Sequence, residues 1–381
     1  MNRPTQLGQI QHELDAWHMR RALDLAELGR GTVEPNPLVG CVIARGAEII
    51  GEGYHRRYGG PHAEIEALSL AGDRAAGATL YVTLEPCCHF GKTPPCTQAV
   101  IAAGIKRVVA AMADPFPQVA GKGVTELRAA GIDVEIGLHE AAARSLNAPY
   151  LKLLGTGRPW VIAKWAMTLD GKLATAAGDS VWISNEASRA VVHQLRGRVD
   201  AIVVAAGTAR ADDPLLTARP PGARTALRIV VDDRASLSLE SKLIKTIADA
   251  PVLVAAAIDA PPADITALRA AGCEVLLLNG PTRAARLTEL FDELGRRRLT
   301  NVLVEGGAKL LGECFDAELI DEVHAFIAPK IAGGRDAPSP VGGRGFDPMA
   351  VALKIEEPRW RILEGDAYLQ GRVSRRDSAR V

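Results

Sequence analysis

Three short stretches constrain this chain more than any other feature: His62-Ala63-Glu64, Pro86-Cys87, and Cys96 behind Pro94-Pro95. One imidazole and two thiolates can fill three corners of a tetrahedral Zn²⁺ and leave the fourth for water. For that to happen, three distant points of the chain must converge. His62 and Glu64 open a helical stretch, Cys87 follows an apolar strand, and the two prolines force Cys96 to the start of the next helix. Two helix N-termini, which suit anionic chemistry, must therefore meet one strand end at the edge of a sheet. Zn²⁺ held in this way lowers the pKa of a bound water toward neutrality. Glu64 stands just beyond the His ligand, placed to move protons without binding the metal. H-x-E followed by P-C and a second Cys is the pattern of zinc deaminases, with two residues between the cysteines. Here eight residues separate Cys87 from Cys96. A closed structural zinc would need Cys88 or His89 as a fourth ligand and would leave Glu64 without a task. Between the adjacent cysteines, Cys87 is the preferred ligand because it directly follows Pro86.

The chain has 381 residues, a length that favours two domains. It is 48% hydrophobic and 24% charged, the composition of a globular protein with real cores. Lys+Arg and Asp+Glu both total 45, so no global electrostatic footprint for nucleic acid exists. No run approaches the roughly 18 apolar residues of a membrane span, and residues 1–11 show no secretory h-region. Four of the six cysteines lie between positions 41 and 96, while Cys273 and Cys314 stand alone. This suits reduced, partly metal-bound thiols in the cytoplasm better than a disulfide framework.

Periodicity gives alternating helices and strands in both halves. Helices are expected over 13–28, 62–70, 97–103, 124–130 and 140–154, and strands over 38–44, 48–54, 79–84, 107–112 and 134–136. Gly155-Thr156-Gly157-Arg158-Pro159 reads as a boundary. It separates a first domain, 1–154, from a second, 155–381. In the second, strands are expected over 160–165, 201–204, 228–231, 252–256, 275–278, 302–304 and 323–327, with helices over 186–196, 265–271, 284–294 and 309–315. Residues from about Arg372 read as a frayed tail. Both halves are α/β.

The motifs resemble those of the bifunctional deaminase/reductase family of riboflavin biosynthesis, from about Trp17 to about Gln370. The stretches that carry the resemblance are Asn36-Pro37-Leu38-Val39-Gly40, Gly60-Pro61-His62-Ala63-Glu64, Thr83-Leu84-Glu85-Pro86-Cys87 and Gly91-Lys92-Thr93-Pro94-Pro95-Cys96. Asp114-Pro115 and Val119-Ala120-Gly121-Lys122-Gly123 continue it, as do Lys164 to Gly171, Trp182-Ile183-Ser184, Ala211-Asp212-Asp213-Pro214, Val304-Glu305-Gly306-Gly307 and Ala328-Pro329-Lys330. The long Cys–Cys spacing is this family's form of the deaminase motif.

The resemblance implies a cytidine-deaminase-like αβα domain followed by a dihydrofolate-reductase-like α/β domain. The first would hydrolyse the 2-amino group of a ribosylaminopyrimidinone 5′-phosphate, with His62, Cys87 and Cys96 on zinc and Glu64 as proton shuttle. Asn36, His55, His89, Lys92 and Asp114 match positions that surround its substrate. The second would reduce the ribosyl group to ribityl with NADPH. The resemblance assigns Ala166, Trp182, Thr208, Asp212, Asp233, Gly307, Ala308, Lys309, Leu310, Leu311, Gly312 and Glu313 to that cofactor. It assigns Ser180, Arg196, Leu216, Arg219 and Glu305 to substrate. The expected partners are small pyrimidine ribose phosphates and further copies of the chain, with no nucleic acid and no membrane. Phe116 departs from the family, which commonly has Asn there, and Cys88 stands where Ser is common. The competing readings are a tRNA or nucleoside deaminase fused to an unrelated domain, and a zinc-stabilised binding protein. The Cys spacing and neutral charge weigh against the first, and Glu64 against the second.

Overall fold

Residues 6–90 and 94–374 are described by a computed structural model. Two compact units divide the chain, Met1–Thr156 and Gly157–Val381.

The first unit runs α1 (Gln6–Glu27), β1 (Gly40–Arg45), β2 (Glu48–Tyr54), α2 (Ala63–Ala71), β3 (Thr79–Val82), α3 (Cys96–Ala102), β4 (Arg107–Ala110), α4 (Lys122–Ala129), β5 (Asp133–Ile136), α5 (Glu140–Leu146) and α6 (Ala148–Thr156). Its five-stranded sheet has the order β2-β1-β3-β4-β5. β1 pairs antiparallel with β2 and β3, while β3, β4 and β5 are parallel. Strands buried on both faces read as unbroken apolar runs, and β1 and β3 do so because helices cover both sides. Cys41, Ile43, Leu80 and Val108 meet Ala63, Ala67, Val100 and Val124 of α2, α3 and α4. Val42, Tyr81 and Val109 meet Met19 and Ala22 of α1 on the other face. Gly53 on β2 allows α2 to lie close. A Cβ there would sit 2.5 Å from the carbonyl oxygen of Ala63, the residue between His62 and Glu64.

Most ends shift by one or two residues, and two departures from the periodicity are larger. α1 already begins at Gln6. The single helix expected over 140–154 breaks at Asn147, which is buried and bonds sideways: its Oδ1 accepts from Leu38 N at 2.8 Å and its Nδ2 donates to Leu38 O at 3.0 Å.

The second unit runs β6 (Trp160–Thr168), α7 (Glu186–Arg196), β7 (Ala201–Ala205), α8 (Ala206–Asp212), β8 (Leu227–Val231), α9 (Lys242–Lys245), β9 (Val252–Ala257), α10 (Pro262–Ala270), β10 (Glu274–Leu278), α11 (Arg283–Arg296), β11 (Asn301–Val304), α12 (Ala308–Asp316), β12 (Glu322–Ala328), β13 (Ile355–Leu363) and β14 (Asp366–Val373). Its nine-stranded sheet has the order β10-β9-β8-β7-β11-β6-β12-β14-β13. The strands from β10 to β12 are parallel, and β14 and β13 add antiparallel. β11 returns between β6 and β7, so chain direction across the sheet reverses there. Crevices for ligands open at such switch points, at the carboxyl ends of the strands.

The expected frayed tail is corrected at its start: β14 continues to Val373, whose N–H donates to Asp321 O at 2.9 Å. β13 and β14 had no counterpart in the expected strands. β13, at the sheet edge, is exposed along nearly its whole length, so Glu356-Glu357-Pro358-Arg359 carries no apolar alternation to read. Among the described residues, no helix is long and apolar enough to cross a membrane.

Candidate active sites

In the first unit the ligand atoms of His62, Cys87 and Cys96 all lie within 4.8 Å of one another. His62 Nδ1 is 3.3 Å from Cys96 Sγ and 3.4 Å from Cys87 Sγ. Ordinary Zn–N and Zn–S bonds put neighbouring N and S corners of a tetrahedron roughly 3.5 Å apart, so this donor set fits Zn²⁺. His62 is the N-cap of α2, Cys96 opens α3, and Cys87 lies in the loop beyond β3. The Cys96 thiol and then His62 hold the Cys87 thiol well below its ordinary value, against the opposing effect of burial. A thiolate is thus available at neutral pH. Cys88 Sγ instead faces the Gln118 carbonyl at 3.9 Å and is no part of the trio.

Glu64 lies in the first turn of α2 and is only 3% exposed. Burial, and then the charge of Cys87, raise its carboxyl from 4.5 to about 7. Such a group can both take and give a proton near neutrality.

The other first-unit candidates form two groups. Asn36 Nδ2 donates to His55 Nε2 at 3.1 Å, and His55 Nδ1 donates to Pro61 O at 2.9 Å. This fixes the His55 tautomer, and burial lowers its basicity, so the ring is neutral. The His55 and His62 rings meet edge to face, with centroids 5.4 Å apart. Asp114 Oδ1 accepts from Phe116 N at 2.9 Å and from the Tyr150 hydroxyl at 3.1 Å, and burial raises its carboxyl. The Phe116 ring is half-buried and faces His89, centroids 5.9 Å apart. His89 Nδ1 is buried without a hydrogen-bond partner among the described residues. Lys92 lies outside the described residues.

The second unit holds a cavity of about 1270 Å³ at the carboxyl ends of β6, β7, β8 and β11. That exceeds the roughly 300–1,000 Å³ of a pocket for one small ligand, and suits two molecules side by side. Its wall includes Ala166, Trp182, Thr208, Asp212 and Asp233, together with Gly307, Ala308, Lys309 and Leu311. Ser180, Arg196, Leu216, Arg219 and Glu305 line it as well. Three candidates are not on the wall, because only one side of α12 faces the cavity. Leu310 belongs to the apolar core. Gly312 packs against Gly342, where a Cβ would lie 2.1 Å from the carbonyl carbon. Glu313 pairs with Arg283 at 2.7 Å.

Gly306 and Gly307 take φ values of 128° and 85° between β11 and α12. A Cβ on Gly307 would lie 3.2 Å from both Ala205 Cβ and Thr208 Oγ1. The N-termini of α8 and α12 both open here. Free N–H groups and room for close backbone approach form a cradle that fits a dinucleotide pyrophosphate. Near it, Asp233 is paired with Arg286 at 3.0 Å and Arg283 at 3.6 Å. Trp182 is 65% exposed, with the Arg189 guanidinium 4.6 Å over its ring.

At the centre, Arg196 grips Glu305 bidentately, Nε–Oε1 2.5 Å and Nη2–Oε2 2.7 Å. Burial alone would raise Glu305, but Arg196 and Lys164 outweigh it and hold the carboxyl at about 2.

Comparison with known proteins decides the family. Residues 159–367 match the "RibD C-terminal domain", and residues 12–112 match the "Cytidine and deoxycytidylate deaminase zinc-binding region". The "Riboflavin biosynthesis protein RibD" of Synechocystis sp. is 44% identical over 358 residues, covering 94% of this chain and 96% of that one. The chain belongs to the RibD family. A solved Acinetobacter baumannii RibD superposes with a TM-score of 0.84 at 36% identity, covering 96% of this chain and 100% of that one. A Thermotoga maritima structure described as a diaminohydroxyphosphoribosylaminopyrimidine deaminase/5-amino-6-(5-phosphoribosylamino)uracil reductase gives 0.82 at 34%, with the same coverage. Like other RibD proteins, the chain is a bifunctional deaminase and reductase of riboflavin biosynthesis, with a zinc-binding deaminase unit and an NADPH-using reductase unit.

Two residues of this RibD protein, Lys164 and Asp170, lie in a matching stretch and are given no role of their own by the sequence. Lys164 was read only as part of a matching stretch, yet its part-buried ammonium is 3.6 Å from Glu305 in the cavity, and desolvation lowers its basicity. The available signal was a lone cation inside the apolar run Trp160-Val161-Ile162-Ala163 to Trp165. Asp170 organises a loop: its carboxylate accepts from Thr168 Oγ1 at 2.6 Å, Gly333 N at 2.7 Å and Ala332 N at 3.1 Å.

Proposed function

We propose that His62, Cys87 and Cys96 hold the zinc and that Glu64 shuttles protons in removal of the 2-amino group of 2,5-diamino-6-ribosylamino-4(3H)-pyrimidinone 5′-phosphate. Bound zinc supplies an activated water. Glu64 takes the proton that water releases, passes it to the ring nitrogen and assists departure of ammonia. The observation that carries this reading is a buried carboxyl at about 7 beside a His/Cys/Cys trio. Asn36, His55, His89 and Asp114 are read as the groups that meet the base, and Lys92 as a phosphate partner. Support comes from the neutral, amide-oriented His55 and the unpartnered Nδ1 of His89.

In the second unit, NADPH supplies hydride to the ribose C1. The cradle at Gly307 and Thr208 would take its pyrophosphate, with Ala166, Trp182, Asp212 and Asp233 along its length. Arg196, Arg219, Ser180, Leu216 and Glu305 would receive the sugar phosphate, guanidinium groups being suited to that partner. Lys164, beside Glu305, is the proton donor for opening the ribosyl ring. Reduction is read as following deamination. A cytoplasmic setting fits six free cysteines, and homo-oligomers are supported by Trp360 and Ile362, exposed on β13. Sedimentation of the chain beside a Trp360→Glu variant tests the latter.

Glu64→Gln tests the central assignment. Deamination should fall by roughly 10²–10⁴, while zinc content and NADPH-dependent reduction of the deaminated substrate stay at wild-type levels. Deamination at the wild-type rate would remove Glu64 from the mechanism.

A further inference from the structure

Glu85 directly precedes Pro86-Cys87 and has no part in the chemistry above. Its side chain is buried, and its carboxylate collects three main-chain N–H groups. Oε1 accepts from Val124 N at 3.1 Å, while Oε2 accepts from Gly121 N at 3.0 Å and Asp114 N at 3.2 Å. All three amides belong to one segment, which leaves β4 and ends in the first turn of α4. Gly121 is the N-cap of α4. Charge-assisted bonds from main-chain N–H groups are strong, and an anion at a helix N-terminus is favoured further.

The same segment leans on the metal loop. A Cβ on Gly123 would lie 2.2 Å from the Pro86 carbonyl oxygen, so only glycine lets the two backbones approach this closely. A second tie joins α4 to the other thiolate: Thr97, next to Cys96, donates through Oγ1 to Glu126 Oε2 at 3.0 Å. The segment from Asp114 to Glu126 is therefore fastened beside both cysteine ligands. It carries Asp114 and Phe116, the latter facing the His89 ring.

We propose that Glu85 is a positioning residue for deamination. Its carboxylate ties the wall formed by Asp114 and Phe116 to the strand end that carries Cys87, and so sets the distance between the base-binding groups and the metal. This rests on the reading of Asp114 and His89 as groups that meet the base, with Phe116, whose ring faces His89, taken as part of the same wall. A carboxylate that merely capped α4 would stabilise the unit without touching substrate affinity.

The test uses the full-length, zinc-loaded protein and four variants: Glu85→Gln, Gly123→Ala, Asp114→Asn and Phe116→Ala. Readouts are KM and kcat of deamination, zinc content, Tm, and reduction of the deaminated substrate. Glu85→Gln should raise the deamination KM roughly tenfold or more, since small misplacements of positioning groups have effects of that order. Its kcat should change far less, and zinc content and reduction should not change. Gly123→Ala should do the same by pushing the segment off Pro86 and crowding the Glu85 carboxylate, whose Oε1 would lie 3.2 Å from the new Cβ, and it carries the test alone if Glu85→Gln does not fold. An unchanged KM in a folded Glu85→Gln protein, or loss of its zinc, overturns the proposal. If Asp114→Asn and Phe116→Ala raise KM while Glu85→Gln does not, the positioning role fails and the wall stands. If Asp114→Asn and Phe116→Ala leave KM unchanged, the wall reading itself fails.

Discussion

Glu64 and Glu305 are both buried carboxyls, yet their surroundings drive them apart. Burial and the Cys87 charge lift Glu64 to about 7, whereas Arg196 and Lys164 outweigh burial and hold Glu305 at about 2. The first can exchange a proton at neutral pH, and the second is a fixed charge. Because Glu305 is lowered in the folded state, its contribution to stability is complete above the ordinary 4.5 and is lost as pH falls toward about 2. Glu305→Gln leaves a buried arginine unpaired, at a cost of roughly 3–5 kcal/mol. The Tm gap between wild type and Glu305→Gln should stay constant from pH 8 to 5, begin to narrow below about 4.5 and close only as pH approaches about 2. A gap that widens on acidification would contradict the lowered value. Phe116 offers a second test. Its half-buried ring faces His89 and is in none of the buried apolar clusters, so base stacking is favoured over core cover. Stacking on a base is worth roughly 1–3 kcal/mol, so Phe116→Ala should raise the deamination KM and leave reduction and Tm nearly unchanged. A lower Tm with unaltered KM would instead assign Phe116 to packing. The metal trio was legible because prolines and turn signals fixed where each ligand would be presented. Lys164 and Glu85 were not, since their partners, Glu305 and the Asp114–Val124 amides, are remote in sequence.

Between strand and helix, the turn at Gly306-Gly307 lines the end of the cavity proposed for the cofactor. Its strand and glycines could be read in the sequence, but the approach of Ala205 and Thr208 to Gly307 could not, because α8 carries little apolar periodicity. The backbone of Gly307, φ 85° and ψ 116°, is one that side chains rarely adopt and disfavours them by roughly 1–3 kcal/mol. A Cβ would also intrude on the cradle, at 3.2 Å from Thr208 Oγ1. Gly307→Ala should therefore weaken NADPH binding, measured by calorimetry, by at least tenfold, while deamination continues unchanged. Wild-type affinity in this variant would move the pyrophosphate elsewhere. Helices and strands buried on patterned faces were recovered with shifted ends. β13 was missed, since an edge strand with no buried position shows no period to detect; β14, which lies between β12 and β13, falls mostly in the stretch before the expected tail and was missed with it.

Each half of the molecule has its own sheet, its own apolar core and its own candidate site. No residue assigned to deamination lies beyond the first unit, and none assigned to reduction precedes Lys164. Chemistry so partitioned should tolerate inactivation of either half alone. Glu64→Gln should block the first reaction only, and Glu305→Gln the second only. Mixing the two variants then poses a sharper question than either alone. If the deaminated intermediate is released into solution, the mixture recovers the overall conversion. A lag should precede product, and it should shorten as the concentration of the Glu64→Gln protein, which supplies the working reductase, is raised. Product formation followed with NADPH in excess measures both lag and final rate. A mixture that stays inactive, while each variant retains its own half-reaction, would mean that the intermediate is handed on within one assembly, and the two units could not then be treated as independent enzymes.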